Sequence, residues 1–479
     1  MLGLLTDLVG AAERRVSYAE ARHVADEREL LLVRNGAVEE AGREASEGIG
    51  VRVRIGGAWG FAATRDVSRK GAERALARAI ALAEAQPAAP AADLAPVPPA
   101  QGHWSSDYAI DPLALSLDEK LGLLAAAEAA LRTGDARLVS TSARAQARRT
   151  DKAFASTDGA ACTQTIVQCG GGISAVAVDG AELQVRSYPL AHDGDVAAAG
   201  WEHVVAMSLE DNAPRIAAEA IELLTAPPCP AGERTIVLHS EQLALQTHES
   251  IGHALELDRI LLGELSYAGS SWVTPDKLGS LRYGSEKLHV TADATAPGGL
   301  GTFGWDDEGV AAARTPLIAE GVLRAALTNR ESAAAIGLDA SGGCARAETF
   351  ARQPIVRMTN VNVEPGDAGT LADLIADTDD GLYFETNRSW SIDDRRLQFQ
   401  FATEVCREIR GGELGRLYRN GSYAGLTPRF WGSLDAVCGP GEWRLWGLTN
   451  CGKGEPGQVT EVSHGAAPAR FRDVQVGVA

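Results

Sequence analysis

His248, Glu249 and His253 lie within one helical-looking run, LALQTHESIGHALELDRIL (243–261). Two imidazoles and a carboxylate in that order suit a zinc hydrolase, in which H-E-x-x-H puts both histidines on one helix face and leaves the glutamate as general base. Here the second histidine stands at i+5 instead of i+4. At about 100° per residue, i and i+5 diverge by roughly 140° on a regular α-helix, too far for both rings to reach one ion. A π-type turn brings those positions back near one face. Gly252, in the intervening S-I-G, makes such a distortion cheap because it has no side chain. The spacing is therefore compatible with zinc only where the helix widens or breaks between the two histidines.

A catalytic zinc needs a third protein ligand and an open fourth position. The strongest candidate is Cys451 in WGLTNCGKGEPGQ (446–458), a Gly-rich turn where backbone can approach a metal and where thiolate is a suitable donor. Glu249 would then take a proton from the activated water, and peptide hydrolysis is the natural outcome. Each piece also has a plainer reading. A His/Glu cluster on a helix can be structural, and an isolated cysteine is more often a small buried hydrophobe. Glu256 and Asp258 read as solvated charges first, and as partners that orient a histidine second. Asp306, Asp307 and Glu308 in GWDDEGV read as a turn, with a second metal site as the remote option. His239 and His289 read as satisfied histidines of strands, and His464 as a site neighbour only in second place.

The composition sets limits on function. With 479 residues, a net charge of −19, 45% hydrophobic and 23% charged residues, the chain is an ordinary globular sequence. Its acidity argues against nucleic-acid or anionic-membrane partners, which need excess Lys and Arg. Seven scattered cysteines without a C-x-x-C pair argue against a disulfide framework and for a reducing cytoplasm. The start, MLGLLTDLVGAAERR, reads as an amphipathic first helix, and no uncharged apolar run reaches the length of a membrane span.

The elements that must position the motif follow from periodicity. Proline-rich stretches at 86–102 and 225–234 divide the chain into 1–86, an N-terminal α/β hairpin domain, 103–225, a central α+β domain, and 232–479, a C-terminal metal-binding catalytic domain. Alternating runs around Asn35-Gly36 and Gly56-Gly57 predict hairpin strands, and 68–86, 116–132 and 209–224 predict helices. After the motif helix come short strands between Gly, Asp and Pro turns. The fold class expected is α+β, with helices packed on antiparallel sheets and a C-terminal domain rich in short strands.

These residues also match a known family. THESIGHALELD resembles the H-E-x-x-x-H motif of the TldD/PmbA (TldE) metalloproteases, once called modulators of DNA gyrase. GIGVRVRIGGAWGFAATRDVS (48–68), GTFGWDDEGV, VRMTNVNVEPGD (356–367) and LTNCGKGEPGQ resemble further landmarks of that family, in its order, over essentially the whole chain. The Trp-rich RFWGSLDAVCGPGEWRLWG (429–447) departs from it. The resemblance implies zinc (Zn2+) on His248, His253 and Cys451, with Glu249 as catalytic base. It further implies an active TldD-type subunit that acts on small or unfolded peptides, paired with a PmbA/TldE-type subunit or with itself as a homodimer. A zinc hydrolase acting on a non-peptide amide and a non-catalytic scaffold subunit are the alternatives.

Overall fold

The computed structural model describes residues 1–87, 93–261 and 269–477. It is α+β, as the periodicity predicts. In the N-terminal half the long strands Tyr18–Arg34, Ala37–Ile55, Leu138–Ser156 and Ala161–Asp179 form the centre of an eight-stranded sheet. Asn35 and Gly36, both at positive φ (48° and 80°), make the tight turn that closes the first hairpin. Tyr18–Arg34 then pairs antiparallel with Leu138–Ser156, so strands from before and after the 86–102 stretch lie in one sheet. The first strand begins at Tyr18, earlier than the apolar run from Glu29 suggests, because its first turn of sequence alternates alanines with charges.

That alternation decides what covers each face. Odd-numbered residues of this strand, Ala19, Ala21, Leu31 and Val33, pack in two cores under the helices Leu2–Ala12, Arg69–Glu84, Leu117–Leu131 and Leu209–Thr225. Even-numbered positions carry Glu20 and Arg22, joined across the sheet by Arg52 and Lys152, and these meet the acidic turn of the C-terminal half. Arg52 lies between Glu20 and Glu308 at 2.9 and 2.8 Å, and Asp307 lies 3.3 Å from Arg22 and 3.1 Å from Lys152. Asp306 accepts from the backbone N–H groups of Glu308, Val310 and Ala345. GWDDEGV is thus a turn, as expected, and also a buried ionic seam. Of the stretch 86–102, residues 88–92 fall outside the described residues. Beyond them the chain is no free spacer, because Ala95 exchanges hydrogen bonds with Arg330 and Gln101–Ser105 pairs parallel to Ala161–Asp179.

In the C-terminal half, the strands Gly232–Leu238, Asp380–Ile392, Gln398–Arg410, Gly421–Leu426 and Ala469–Val476 pair in turn around a closed ring. A separate two-stranded ribbon, Arg444–Lys453 with Gln458–Ala466, lies beside it. The helix Ser240–Thr247 follows the first of the ring strands. Every residue from Ser240 to Leu257 is buried, including the polar ones. Gln242 and Gln246 are satisfied by the Tyr423 hydroxyl at 2.8 and 3.1 Å.

Removing one partner from a buried ion pair leaves its mates uncompensated. Arg52→Met should therefore cost about 3–5 kcal/mol and lower the thermal midpoint by several degrees. An unchanged melting curve would show that the seam carries no stability.

Candidate metal centre

The motif helix does change pitch where the spacing requires it. After Ser240–Thr247 the backbone forms a π turn over His248–Gly252, then a 3-10 turn over His253–Leu255. Specific side chains hold the wide turn. The Tyr283 hydroxyl donates to the Ser250 carbonyl at 2.5 Å, while Trp431 Nε1 and Gln246 Nε2 donate to Ser250 Oγ at 2.9 and 3.0 Å. Trp431 belongs to the Trp-rich stretch, which thus acts as a wall behind the turn. Gly252 is needed for closeness and not for freedom: its backbone is ordinary right-handed helix (φ −53°, ψ −61°), but a Cβ there would lie 2.1 Å from Met358 Sδ.

With this pitch the two rings meet. The centroids of His248 and His253 are 4.7 Å apart, and His248, His253 and Cys451 bring their donor atoms within 4.8 Å of one another, all buried. Cys451 Sγ lies 3.6 Å from His253 Nε2. It comes from the ribbon strand Arg444–Lys453, at an irregularity in the pairing between Leu448 and Cys451. Among the described residues this is the one cluster of His, Cys, Asp or Glu arranged to hold an ion.

The neighbours determine which nitrogen each ring presents. His464 Nδ1 lies 2.8 Å from the Val361 carbonyl, which can only accept, so His464 carries its proton there and offers a bare Nε2. His248 Nδ1 lies 2.8 Å from that Nε2 and must donate to it, which leaves His248 Nε2 with its lone pair exposed. His253 Nδ1 donates to Glu256 Oε2 at 3.0 Å, so it too presents Nε2. Burial pulls His248 down to about 4 and lowers His253 and His464 as well, which keeps all three rings neutral. For Cys451, burial opposes the thiolate, but the Arg357 guanidinium, 3.0 Å from Sγ, favours it, and the thiol lies below its ordinary value. Glu256 is likewise held well below the usual carboxylate range: burial opposes this, and Lys453 and Arg259 overcome it. Arg396 Nη1 donates to Glu249 Oε2 at 2.5 Å and orients that carboxylate. Two neutral imidazoles with fixed lone pairs and one thiol biased toward thiolate are a donor set that fits zinc.

Of the residues singled out from sequence, His248, His253 and Cys451 come together, and Glu249 follows His248 on the wide turn with its carboxylate on Arg396. Glu256 takes the orienting role, and Asp258 pairs with Lys453 at 2.7 Å. His464 is closer to the site than its sequence setting suggested, and Arg357 and Arg396 were not singled out at all. His464 stands opposite Trp446 in the ribbon register, a relation that only strand pairing reveals. His239 caps the motif helix beside Glu241, and Glu320 N lies 3.5 Å from His289 Nδ1.

Three family models match in order: PmbA/TldA metallopeptidase domain 1 over residues 19–83, the central domain over 110–226, and the C-terminal domain over 231–478. The chain belongs to the PmbA/TldA metallopeptidase family. A metalloprotease of Methanothermobacter thermautotrophicus is 30% identical, with 98% of this chain and 99% of that one covered. A metalloprotease TldD homolog of Haemophilus influenzae is 25% identical over 97% and 94%. Among solved structures, TldE from Thermococcus kodakarensis superposes with a TM-score of 0.76 at 14% identity, covering 99% of this chain and 100% of that one. At that identity the likeness shows the fold alone.

Outer partners that fix a histidine's tautomer typically matter 10- to 100-fold in metal affinity. His464→Ala should weaken zinc binding by about that factor, measured by competition with a chromophoric chelator. Wild-type affinity in the variant would reduce His464 to packing.

Proposed function

We propose that this chain is a zinc-dependent peptidase, with His248, His253 and Cys451 as metal ligands and Glu249 as general base. The observation that carries this reading is the π turn, which converts an unworkable i, i+5 spacing into two converging Nε2 lone pairs opposite a thiol. Bound zinc supplies Lewis acidity, which makes water nucleophilic at neutral pH and polarises a carbonyl. The chain's own residues do the rest. His464 and Glu256 hold the two imidazoles in the required tautomer, and Arg357 biases the thiol toward thiolate. Glu249, steadied by Arg396, accepts a proton from the attacking water and returns it to the leaving amine. His464 does not close the site as a fourth ligand, since its Nε2 is engaged by His248. With no fourth His, Cys, Asp or Glu in the cluster among the described residues, the donor set would suit a catalytic ion better than a purely structural one.

The substrate class is small or unfolded peptides. The ribbon strand Arg444–Lys453 carries Cys451, so an extended peptide lying along the ribbon would pass the metal. The assembly is a dimer, formed with a PmbA/TldE-type partner or with a second copy. The shared fold with a TldE protein along the whole chain supports a matched pair of subunits. None of the described helices is long and apolar enough to cross a membrane, and the chain is assigned to the cytoplasm from its cysteine usage.

The test combines metal content with peptide turnover. About one zinc per chain should be found in the wild type and lost in His253→Ala and Cys451→Ser. Glu249→Gln should keep the metal and lose roughly 100- to 10,000-fold in turnover of an unstructured peptide. Full turnover in Glu249→Gln would remove it from the base role, and full occupancy in Cys451→Ser would require another ligand. Treatment with a chelator should abolish cleavage, and added zinc should restore it.

A further inference from the structure

Cys229 and Cys406 lie 177 residues apart in the chain, yet their sulfurs are in contact at 3.8 Å. We propose that this pair is an oxidation site, at which Cys229 reacts with hydrogen peroxide and Cys406 converts the product to a reversible disulfide. Neither cysteine belongs to the His248, His253 and Cys451 cluster, and the inference goes beyond the peptidase reading.

The backbone sets the two side chains together. Cys406 sits within the ring, paired with Phe384 on one side and with Tyr418, of the strand Glu413–Tyr418, on the other, and is fully buried. Strand pairing is interrupted at Arg419 and Asn420, the latter at φ +55°, before it resumes with Gly421–Leu426. The segment 226–231 crosses at this irregularity. Cys229 N donates to the Arg419 carbonyl and Arg419 N to the Pro227 carbonyl, both at 2.9 Å. Pro227, Pro228 and Pro230 restrict the backbone on both sides of Cys229, so its side chain starts from a fixed point. Gly421 makes room for the second sulfur, because a Cβ there would lie 2.5 Å from Cys406 Cβ. A disulfide needs about 2.05 Å between sulfurs, a gap that side-chain rotation closes from contact.

The two thiols differ as an attacking and a resolving cysteine must. Cys229 is partly exposed, whereas the other six cysteines are buried. A hydrogen bond with Cys406 lowers the Cys229 thiol from its ordinary value; burial opposes this, and the backbone N–H groups of Ser422 and Gly477 add to it. Burial pushes Cys406 well above its ordinary value, so Cys406 keeps its proton and donates it toward Cys229. Burial likewise pushes Cys162, Cys169, Cys344 and Cys438 up to about 12, which leaves them as slowly reacting thiols. Cys451 is lowered too, but it is buried within the metal cluster.

The chemistry balances with peroxide as the oxidant. The Cys229 thiolate attacks one peroxide oxygen, the O–O bond breaks, and hydroxide leaves and takes up a proton as water. Cys406 sulfur then attacks the Cys229 sulfenic acid. The S–S bond forms, the S–O bond breaks, and the Cys406 proton leaves with that oxygen as a second water. The two electrons lost by the thiols reduce the peroxide. In a reducing compartment such disulfides are usually transient and redox-sensing, in keeping with cysteines that build no permanent framework. The bond would tie the passage from the helix Leu209–Thr225 to the strand Gly232–Leu238 onto the ring strand bearing Val405, against which Leu223 already packs.

The test treats the reduced protein, as purified, with a small excess of hydrogen peroxide. Remaining thiols are alkylated, and a digest made without reductant is read by mass spectrometry. Cys229 and Cys406 should disappear together into one cross-linked peptide pair, lighter by two hydrogens than the separate peptides, and dithiothreitol should restore both. Loss at this pair should be roughly 10-fold faster than at any other cysteine. In Cys406→Ala, Cys229 should stop at the sulfenic acid, which dimedone captures. In Cys229→Ser, Cys406 should stay reduced. No cross-link, or oxidation that reaches other cysteines first, overturns the proposal. So does Cys229 passing to a sulfinic acid in the wild type while Cys406 stays reduced. Cys406 oxidised in Cys229→Ser as quickly as in the wild type also overturns it, because the attack would then not begin at Cys229.

Discussion

The widened turn His248–Gly252 is the constraint on which the centre depends. Only at that pitch do residues five apart share a face, and a π turn is rarely stable by itself because it disturbs the carbonyl-to-amide ladder. Here the disturbance is absorbed by tertiary partners. Tyr283 supplies a donor to the Ser250 carbonyl, Trp431 and Gln246 bind the Ser250 hydroxyl, and Met358 fills the space a side chain at 252 would need. The helix can be distorted because it is buried along its length, so that the elements packed on it, and not helix propensity, set its shape.

Burial then creates an electrostatic problem that the site solves by matching charges. A thiol and the Glu256 carboxylate sit among apolar neighbours, where an isolated anion is expensive. Arg357, Arg259 and Lys453, all fully buried, stand against them. The histidines are kept neutral by the same burial, and their protons are directed outward by His464 and Glu256. Proton position, ring orientation and thiol ionisation therefore come from one arrangement of side chains around the wide turn.

A second buried network joins the halves of the chain. Glu20, Arg22, Arg52 and Lys152 project from the face of the N-terminal sheet opposite its helices and close on Asp307 and Glu308. Charged residues at alternate positions of a strand ordinarily face water. Here they face an acidic turn instead, which gives the two halves a specific way to dock. The loop 190–194, which follows the N-terminal sheet's strand Glu182–Tyr188, lies next to the ribbon that carries Cys451, with Thr449 donating to Asp193.

Much of this was legible in the sequence. Alternation and turn residues identified the hairpins and the α+β class, and residue chemistry singled out His248, Glu249, His253 and Cys451. The i, i+5 spacing even required the helix to widen or break between the two rings, and the π turn is the form this takes. What sequence could not reveal were the relations that depend on which strands pair. His464 looks incidental until the ribbon sets it opposite Trp446 and against His248. Arg357 and Arg396 look like ordinary charges until folding brings them to Cys451 and Glu249. The alternating charges of the first strand look solvated until the acidic turn covers them. Local spacing determines which side chains share a face, whereas their partners come from elements hundreds of residues away, and only tertiary packing decides which of those arrive.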